Sequence, residues 1–185
     1  MELRPYQQES IDSLYTHFGK FDGNPLIVLP TGTGKSVVIA KFLQGAIEAW
    51  PDTRIVMVTH VKELIAQNFQ TLIRNWPEAP AGIYSAGLNR RDIHSQIVCA
   101  GIQSIYKRAY ELQRVDLILV DEAHLIPRSS DTMYGQFLRE VKEINPDVKV
   151  IGFTATPYRM DSGMLHTGKD HLFDAIAYEI GRAHV

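Results

Sequence analysis

The sequence predicts a three-layer α/β fold around a mainly parallel sheet, and three observations carry that prediction. Five short apolar, β-branched runs bounded by turn residues recur along the 185 residues, segments of helical periodicity separate them, and four of the five runs end in residues of unusual chemistry. Strands that alternate with helices pair in parallel through right-handed crossovers.

The runs are Leu26 to Leu29, Ile55 to Thr59, Gln96 to Ala100, Leu117 to Val120 and Val148 to Phe153. Near-continuous hydrophobicity marks strands covered on both faces. A first helix is expected over Gln8 to Phe18. Val38, Ile39, Phe42, Leu43, Ala46, Ile47 and Trp50 keep the i, i+3, i+4 spacing of one buried helical face, which Pro51 closes. Val61, Leu64, Ile65, Phe69 and Leu72 repeat the pattern, as do Tyr134, Phe137, Leu138, Val141 and Ile144 before Pro146. Pro77 to Gly82 reads as a loop, and Trp50 and Trp76, at helix ends, read as packing residues. In such a sheet, ligands bind outside the carboxyl ends of the strands.

Composition narrows the class. An apolar content of 45%, with 19 basic and 21 acidic residues, is that of an ordinary globular chain. A domain near this size buries about 70% of its unfolded surface and needs no covalent staple. Cys99 is the only cysteine, so an internal disulfide is impossible; its place inside a strand makes it a core residue, and its solitude suits a reducing compartment. The longest apolar runs hold four residues, far short of the ~20 that cross a bilayer, and Met1-Glu2-Leu3-Arg4-Pro5 lacks the head and core of a secretory signal. No membrane association and a cytoplasmic location are therefore expected. A net charge of −2 argues against indiscriminate polyanion binding but leaves room for a local basic groove.

The first run leads into Pro30-Thr31-Gly32-Thr33-Gly34-Lys35-Ser36 and then a helix. Gly32 and Gly34 let the backbone turn its N–H groups inward at phosphate oxygens, beside the positive end of the following helix. Thr31 and Thr33 belong to the same loop, Lys35 would reach the β and γ phosphates, and the Ser36 hydroxyl would ligate Mg²⁺. The strict pattern has glycine where Leu29 stands, so this is its relaxed form. The fourth run leads into Asp121-Glu122-Ala123-His124. Two carboxylates leaving a buried strand need a compensating charge, and Mg²⁺ supplies one. Asp121 takes the role of metal holder, and Glu122 that of the residue that orients and deprotonates the attacking water.

Taken in order, Gly32-Thr33-Gly34-Lys35-Ser36, Asp121-Glu122-Ala123-His124 and Thr154-Ala155-Thr156-Pro157 resemble motifs I, II and III of the superfamily 2 helicases and translocases, in the DEAH-box style. The resemblance implies a RecA-like P-loop NTPase lobe over residues 1–180, with ATP and Mg²⁺ as cofactors. Leu3-Arg4-Pro5-Tyr6-Gln7-Gln8 resembles the family's Q motif, which implies adenine selection by Gln7 and Arg4. Thr154 and Thr156 are implied to bond His124 and to couple phosphate state to nucleic-acid binding. The stretches Leu29 to Gly32, His60 to Asn68, Ser85 to Leu88 and Thr156 to Arg159 are most similar to the bacterial RadD-like branch, which implies a DNA-repair ATPase and DNA rather than RNA; phage and restriction-system translocases share the pattern.

The resemblance implies backbone-contacting roles for His60 and Lys62 after the second strand, for Ser85 and Gly87 near Arg90 and Arg91, and for Gly101 and Gln103 at the start of a short helix. Such contacts carry no sequence specificity. His166, Asp170 and His171 have a loose metal-like spacing but no thiol partner, and no zinc site is expected.

Family members hydrolyse ATP between two RecA-like lobes, the second of which supplies arginines. With one lobe present, weak turnover and no unwinding are expected. Ile180 to Val185 matches the translation of a widely used sequencing adapter, so residues 181–185 are expected to be a non-native tail on a longer gene. Two other readings stay open: an ATP-switched nucleic-acid-binding module without useful hydrolysis, or an RNA helicase lobe. A small-molecule kinase is disfavoured, because no acceptor site is visible.

Overall fold

The computed structural model describes residues 2–126, 131–159, 163–164 and 172–180. Residues 181–185 and the stretch carrying His166, Asp170 and His171 lie outside them. The elements run α1 (Pro5–Lys20), β1 (Pro25–Val28), α2 (Lys35–Ala49), β2 (Ile55–Thr59), α3 (Lys62–Asn75), β3 (Ala81–Ser85), β4 (Arg90–Arg91), β5 (Ile97–Gly101), α4 (Ile102–Ile105), α5 (Ala109–Leu112), β6 (Leu117–Val120), α6 (Asp131–Ile144), β7 (Lys149–Thr154), β8 (Tyr158–Arg159), β9 (Gly163–Met164) and β10 (Ala175–Glu179).

Eight strands form one sheet in the order β10-β1-β7-β6-β2-β5-β3-β4, and β8 pairs with β9 as a separate antiparallel ribbon. Among the described residues, only the β3–β4 pair of the large sheet is antiparallel. Strand alternation divides the core into two layers. Ile27, Leu29, Met57, Cys99, Leu119 and Phe153 face α1, α2 and α3, packing on Leu14, Phe42, Leu43 and Leu72. Val28, Val58, Ala100, Ile118 and Val150 face the other way, onto α4, α5 and α6 through Ile105, Leu112, Phe137 and Val141. The expected three layers and parallel pairing are present.

The main departures lie at the edges. Pro77 to Gly82 is not wholly a loop, because Ala81–Ser85 forms β3 and pairs with β5. β10, which pairs with β1, is a strand that periodicity did not indicate; every residue in it is only half-buried. Trp50 is 60% exposed and does not pack in the core, whereas Trp76 is half-buried against the α1–α3 layer. Cys99 is buried in β5, and burial pushes its thiol pKa up to about 12. On the β7 side, Gly152 leaves room for the fully buried Phe173; a Cβ there would sit 2.5 Å from the ring and 2.7 Å from Leu26 Cδ1.

Candidate nucleotide and nucleic-acid site

The carboxyl ends of β1, β7 and β6 lie side by side in the sheet, and that order brings the predicted motifs together. The chain leaves β1 through Pro30 and turns at Gly32 and Gly34, with φ of +85° and +80°. L-residues rarely adopt that left-handed conformation, which explains the glycines. Gly34 is the N-cap of α2, so Lys35 opens the helix with its side chain directed at the end of β6. Lys35 Nζ lies 3.0 Å from Asp121 Oδ1 and donates a hydrogen bond to Glu122 Oε1.

The second acid of the pair is held in a strained backbone conformation. Asp121 is 5% exposed, and its N–H donates to Val58 O at 3.0 Å, continuing the β2–β6 ladder. Glu122 follows at φ +49°, ψ +47°, a left-handed conformation for a residue with a side chain. Such a conformation costs on the order of 1–3 kcal/mol and clusters at functional sites. Asp121 Oδ1 is near enough to Nζ for an ion pair but out of line for a hydrogen bond, so it remains a buried acceptor without a donor, as does Glu122 Oε2. Orphaned buried carboxylate oxygens fit a hard cation, and Ser36 lines the same space. Among the described residues, no group of three or more His, Cys, Asp or Glu could hold a metal by itself, so a bound nucleotide would have to complete the shell.

Lys35, Ser36, Asp121 and Glu122 line a cavity of about 440 Å³ with Thr31, Gly32 and Gly34. Its far wall is α3, through Gln67, Asn68 and Thr71, none of them a predicted site residue. Their helical spacing with Leu64 was the available signal. Tyr6, inside the Leu3 to Gln8 stretch, has a contact that the resemblance does not assign. Its hydroxyl donates to Thr33 O at 2.8 Å, and Gln7 Nε2 donates to the same carbonyl at 2.9 Å, so α1 grips the phosphate loop through two side chains. Gln7 Oε1 accepts the N–H of Arg4, and the exposed Arg4 guanidinium donates to Tyr6.

At β7, Thr154 Oγ1 donates to Thr156 O at 2.7 Å and lies 2.8 Å from His124 Nδ1. With its one proton committed, the hydroxyl accepts from the imidazole, which places the ring proton on Nδ1. Glu122 Oε2 is 3.3 Å from that nitrogen. Burial pushes the His124 pKa below its ordinary value, partly offset by Glu122. The Thr156 hydroxyl instead accepts from Tyr158 N–H at 3.4 Å.

Further along the same rim, Gln103 on α4 donates to His60 O at 3.0 Å, and burial lowers the His60 pKa. The aliphatic stem of the exposed Lys62 crosses Gly87, where a Cβ would meet Cε at 2.8 Å. His60, Lys62, Gly87 and Gln103 therefore share one surface at the ends of β2, β3 and β5. Ser85 is 3% exposed and points inward, and Ser104 instead accepts the Ala86 N–H at 3.0 Å. Gly101 is buried and contributes backbone only.

A RecA-like sheet, a glycine-bearing phosphate loop and an acid pair facing its lysine define a P-loop nucleotide-binding lobe. More particularly, the chain belongs to the family described as type III restriction enzyme, res subunit, which matches residues 1–159. It is 29% identical over 201 residues to the ATP-dependent RNA helicase DHX58 of Mus musculus, covering 96% of this chain and 28% of that protein. It is likewise 29% identical over 169 residues to the DNA 3'-5' translocase XPB2 of Sulfurisphaera tokodaii, covering 87% of this chain and 32% of that one. The crystal structure of the UvsW helicase from bacteriophage T4 superposes with a TM-score of 0.69 at 17% identity, over 96% of this chain and 60% of that one. The chain spans between 13% and 32% of the length of these curated relatives.

Proposed function

We propose that the chain is the ATP-binding lobe of an ATP-dependent DNA helicase or translocase, a cytoplasmic motor of the DEAH-box, RadD-like kind that serves DNA repair. One observation carries the reading: Lys35 reaches Asp121 and Glu122 across the mouth of a cavity whose floor is the phosphate loop.

Each group then has a task. The loop N–H groups and Lys35 hold the β and γ phosphates, and Lys35 exchanges its acid partners for phosphate oxygens as the nucleotide enters. Ser36 and Asp121 would hold Mg²⁺, which when bound neutralises charge on those oxygens. Glu122 accepts a proton from the water whose oxygen bonds the γ-phosphorus as the bond to the β–γ bridging oxygen breaks. His124, Thr154 and Thr156 connect the acid strand to the end of β7, while His60, Lys62, Gly87 and Gln103 face the nucleic-acid backbone. A second RecA-like lobe in a longer parent would supply arginines toward the transferring phosphate.

The test compares single-turnover phosphate release from ATP by the two-lobe parent with single-stranded DNA, duplex DNA and RNA. Stimulation by DNA, abolished by Glu122→Gln with ATP binding retained, is the expected result. Stimulation by RNA alone would favour the RNA helicase reading, and nucleotide binding without release would favour a binding module.

A further inference from the structure

Three buried side-chain oxygens at the ends of β2 and β6 lack a hydrogen-bond partner: Asp121 Oδ1, Glu122 Oε2 and Thr59 Oγ1. The first two belong to the acid pair. Thr59 has no role in the site described so far, yet it is 2% exposed, and a buried hydroxyl without a partner costs roughly 1–3 kcal/mol.

Strand geometry says what it faces. Val58 pairs with Val120 in the parallel β2–β6 register, and the Asp121 N–H donates to Val58 O, so Thr59 and Asp121 are the next neighbours across the ladder. Met57 and Leu119, two residues earlier on each strand, both face the α1–α3 layer. Alternation puts Thr59 and Asp121 on that face too. Neighbouring strands stand about 4.8 Å apart, a separation at which polar groups meet through a bridging water. Thr59 also directly precedes His60, whose carbonyl Gln103 braces on the proposed nucleic-acid surface.

We propose that Thr59 is a positioning residue for the cation site: its hydroxyl, through one buried water, fixes the Asp121 carboxylate in the orientation that receives Mg²⁺. The position that orients the acid is thereby adjacent in sequence to one that meets the nucleic-acid backbone. This inference rests on the reading of Asp121 as the metal-holding acid. Second-layer partners of metal ligands are worth 10- to 100-fold in metal affinity.

The experiment titrates Mg²⁺ against binding of a fluorescent ATP analogue by the whole chain, for wild type, Thr59→Val and Thr59→Ser. Expected is a rise of about tenfold in the Mg²⁺ concentration for half-maximal binding in Thr59→Val, restored by Thr59→Ser, with binding in EDTA unchanged. A purely structural role would shift the EDTA and Mg²⁺ curves alike. Thr59→Val that matches wild type in Mg²⁺ dependence while melting higher would show an orphaned hydroxyl and overturn the inference alone. Wild-type binding indifferent to Mg²⁺ would overturn the cation reading with it. Should Thr59→Val fail to fold, a wild-type crystal structure decides: an ordered water within about 3.2 Å of both oxygens supports the bridge, and its absence refutes it.

Discussion

Lys35 Nζ stands 3.0 Å from Asp121 Oδ1, with Glu122 on its other side, so the lysine proposed to take a phosphate is already the counter-charge of the acids proposed to take a cation. Residues far apart in sequence meet because β1, β7 and β6 are neighbours in the sheet.

Removing that lysine should destabilise the protein even without nucleotide. Lys35→Ala leaves the buried Asp121 without a counter-charge, and a loss of about 1–3 kcal/mol is expected in urea unfolding. Added Mg²⁺ should raise the melting temperature of Lys35→Ala more than that of wild type, because it replaces the missing cation. Equal responses would argue against a cation site at these acids.

The two loop glycines should not tolerate alanine equally. Both have positive φ, so either change costs about 1–2 kcal/mol of backbone strain. At Gly32 the added methyl meets open space, whereas at Gly34 it would sit 2.5 Å from Gln7 Nε2. Gly34→Ala should therefore be the less stable variant and bind fluorescent ATP more weakly than Gly32→Ala. The reverse order would contradict the observed contact.

Acid should weaken the fold through His124. Its native pKa lies below the ordinary 6.5, so as pH falls the unfolded chain takes the proton first. Its contribution is complete above pH 6.5 and is lost as pH drops through the lower native value. Unfolding free energies at several pH values between 5 and 8 should slope more steeply for wild type than for His124→Gln; parallel slopes would refute the assignment.

Overpacking should be costly at Gly152. Its alanine variant drives a methyl into Phe173 and Leu26, a strain of roughly 1–3 kcal/mol by chemical denaturation. Phe173→Leu in the same chain should recover part of the loss, and strictly additive effects would count against a direct clash.

Legibility in the sequence followed burial. β2 and β6 begin and end as read, at Ile55–Thr59 and Leu117–Val120, because strands covered on both faces leave uninterrupted apolar runs. β10 left no such signal, since Ala175–Glu179 occupies the rim of the sheet half-covered, with Tyr178 and Glu179 among its residues. The phosphate loop and acid pair were visible because glycine, lysine and carboxylate types are dictated by chemistry at fixed spacing. Tyr6 was not, because a tyrosine hydroxyl seeking a carbonyl is local geometry that periodicity does not record. Ser85 is expected to contact a nucleic-acid backbone because it lies beside Gly87, Arg90 and Arg91 in a stretch that resembles the family's contacting motif; its side chain is instead buried at the end of β3, which sequence spacing does not record.

The outer rim of the sheet has a consequence for synthesis on the ribosome. β1 flanks the nucleotide loop, and its far side is occupied by β10, whose Tyr178 hydroxyl donates to Glu9 on α1 at 3.2 Å. A nascent chain emerging amino end first has α1, β1 and the loop in hand long before the strand that seats them exists. The α1–β10 contact can form only late in translation, which leaves α1 held by α2 and β1 until then. A chain stopped before Ala175 should show this as rapid proteolysis within α1.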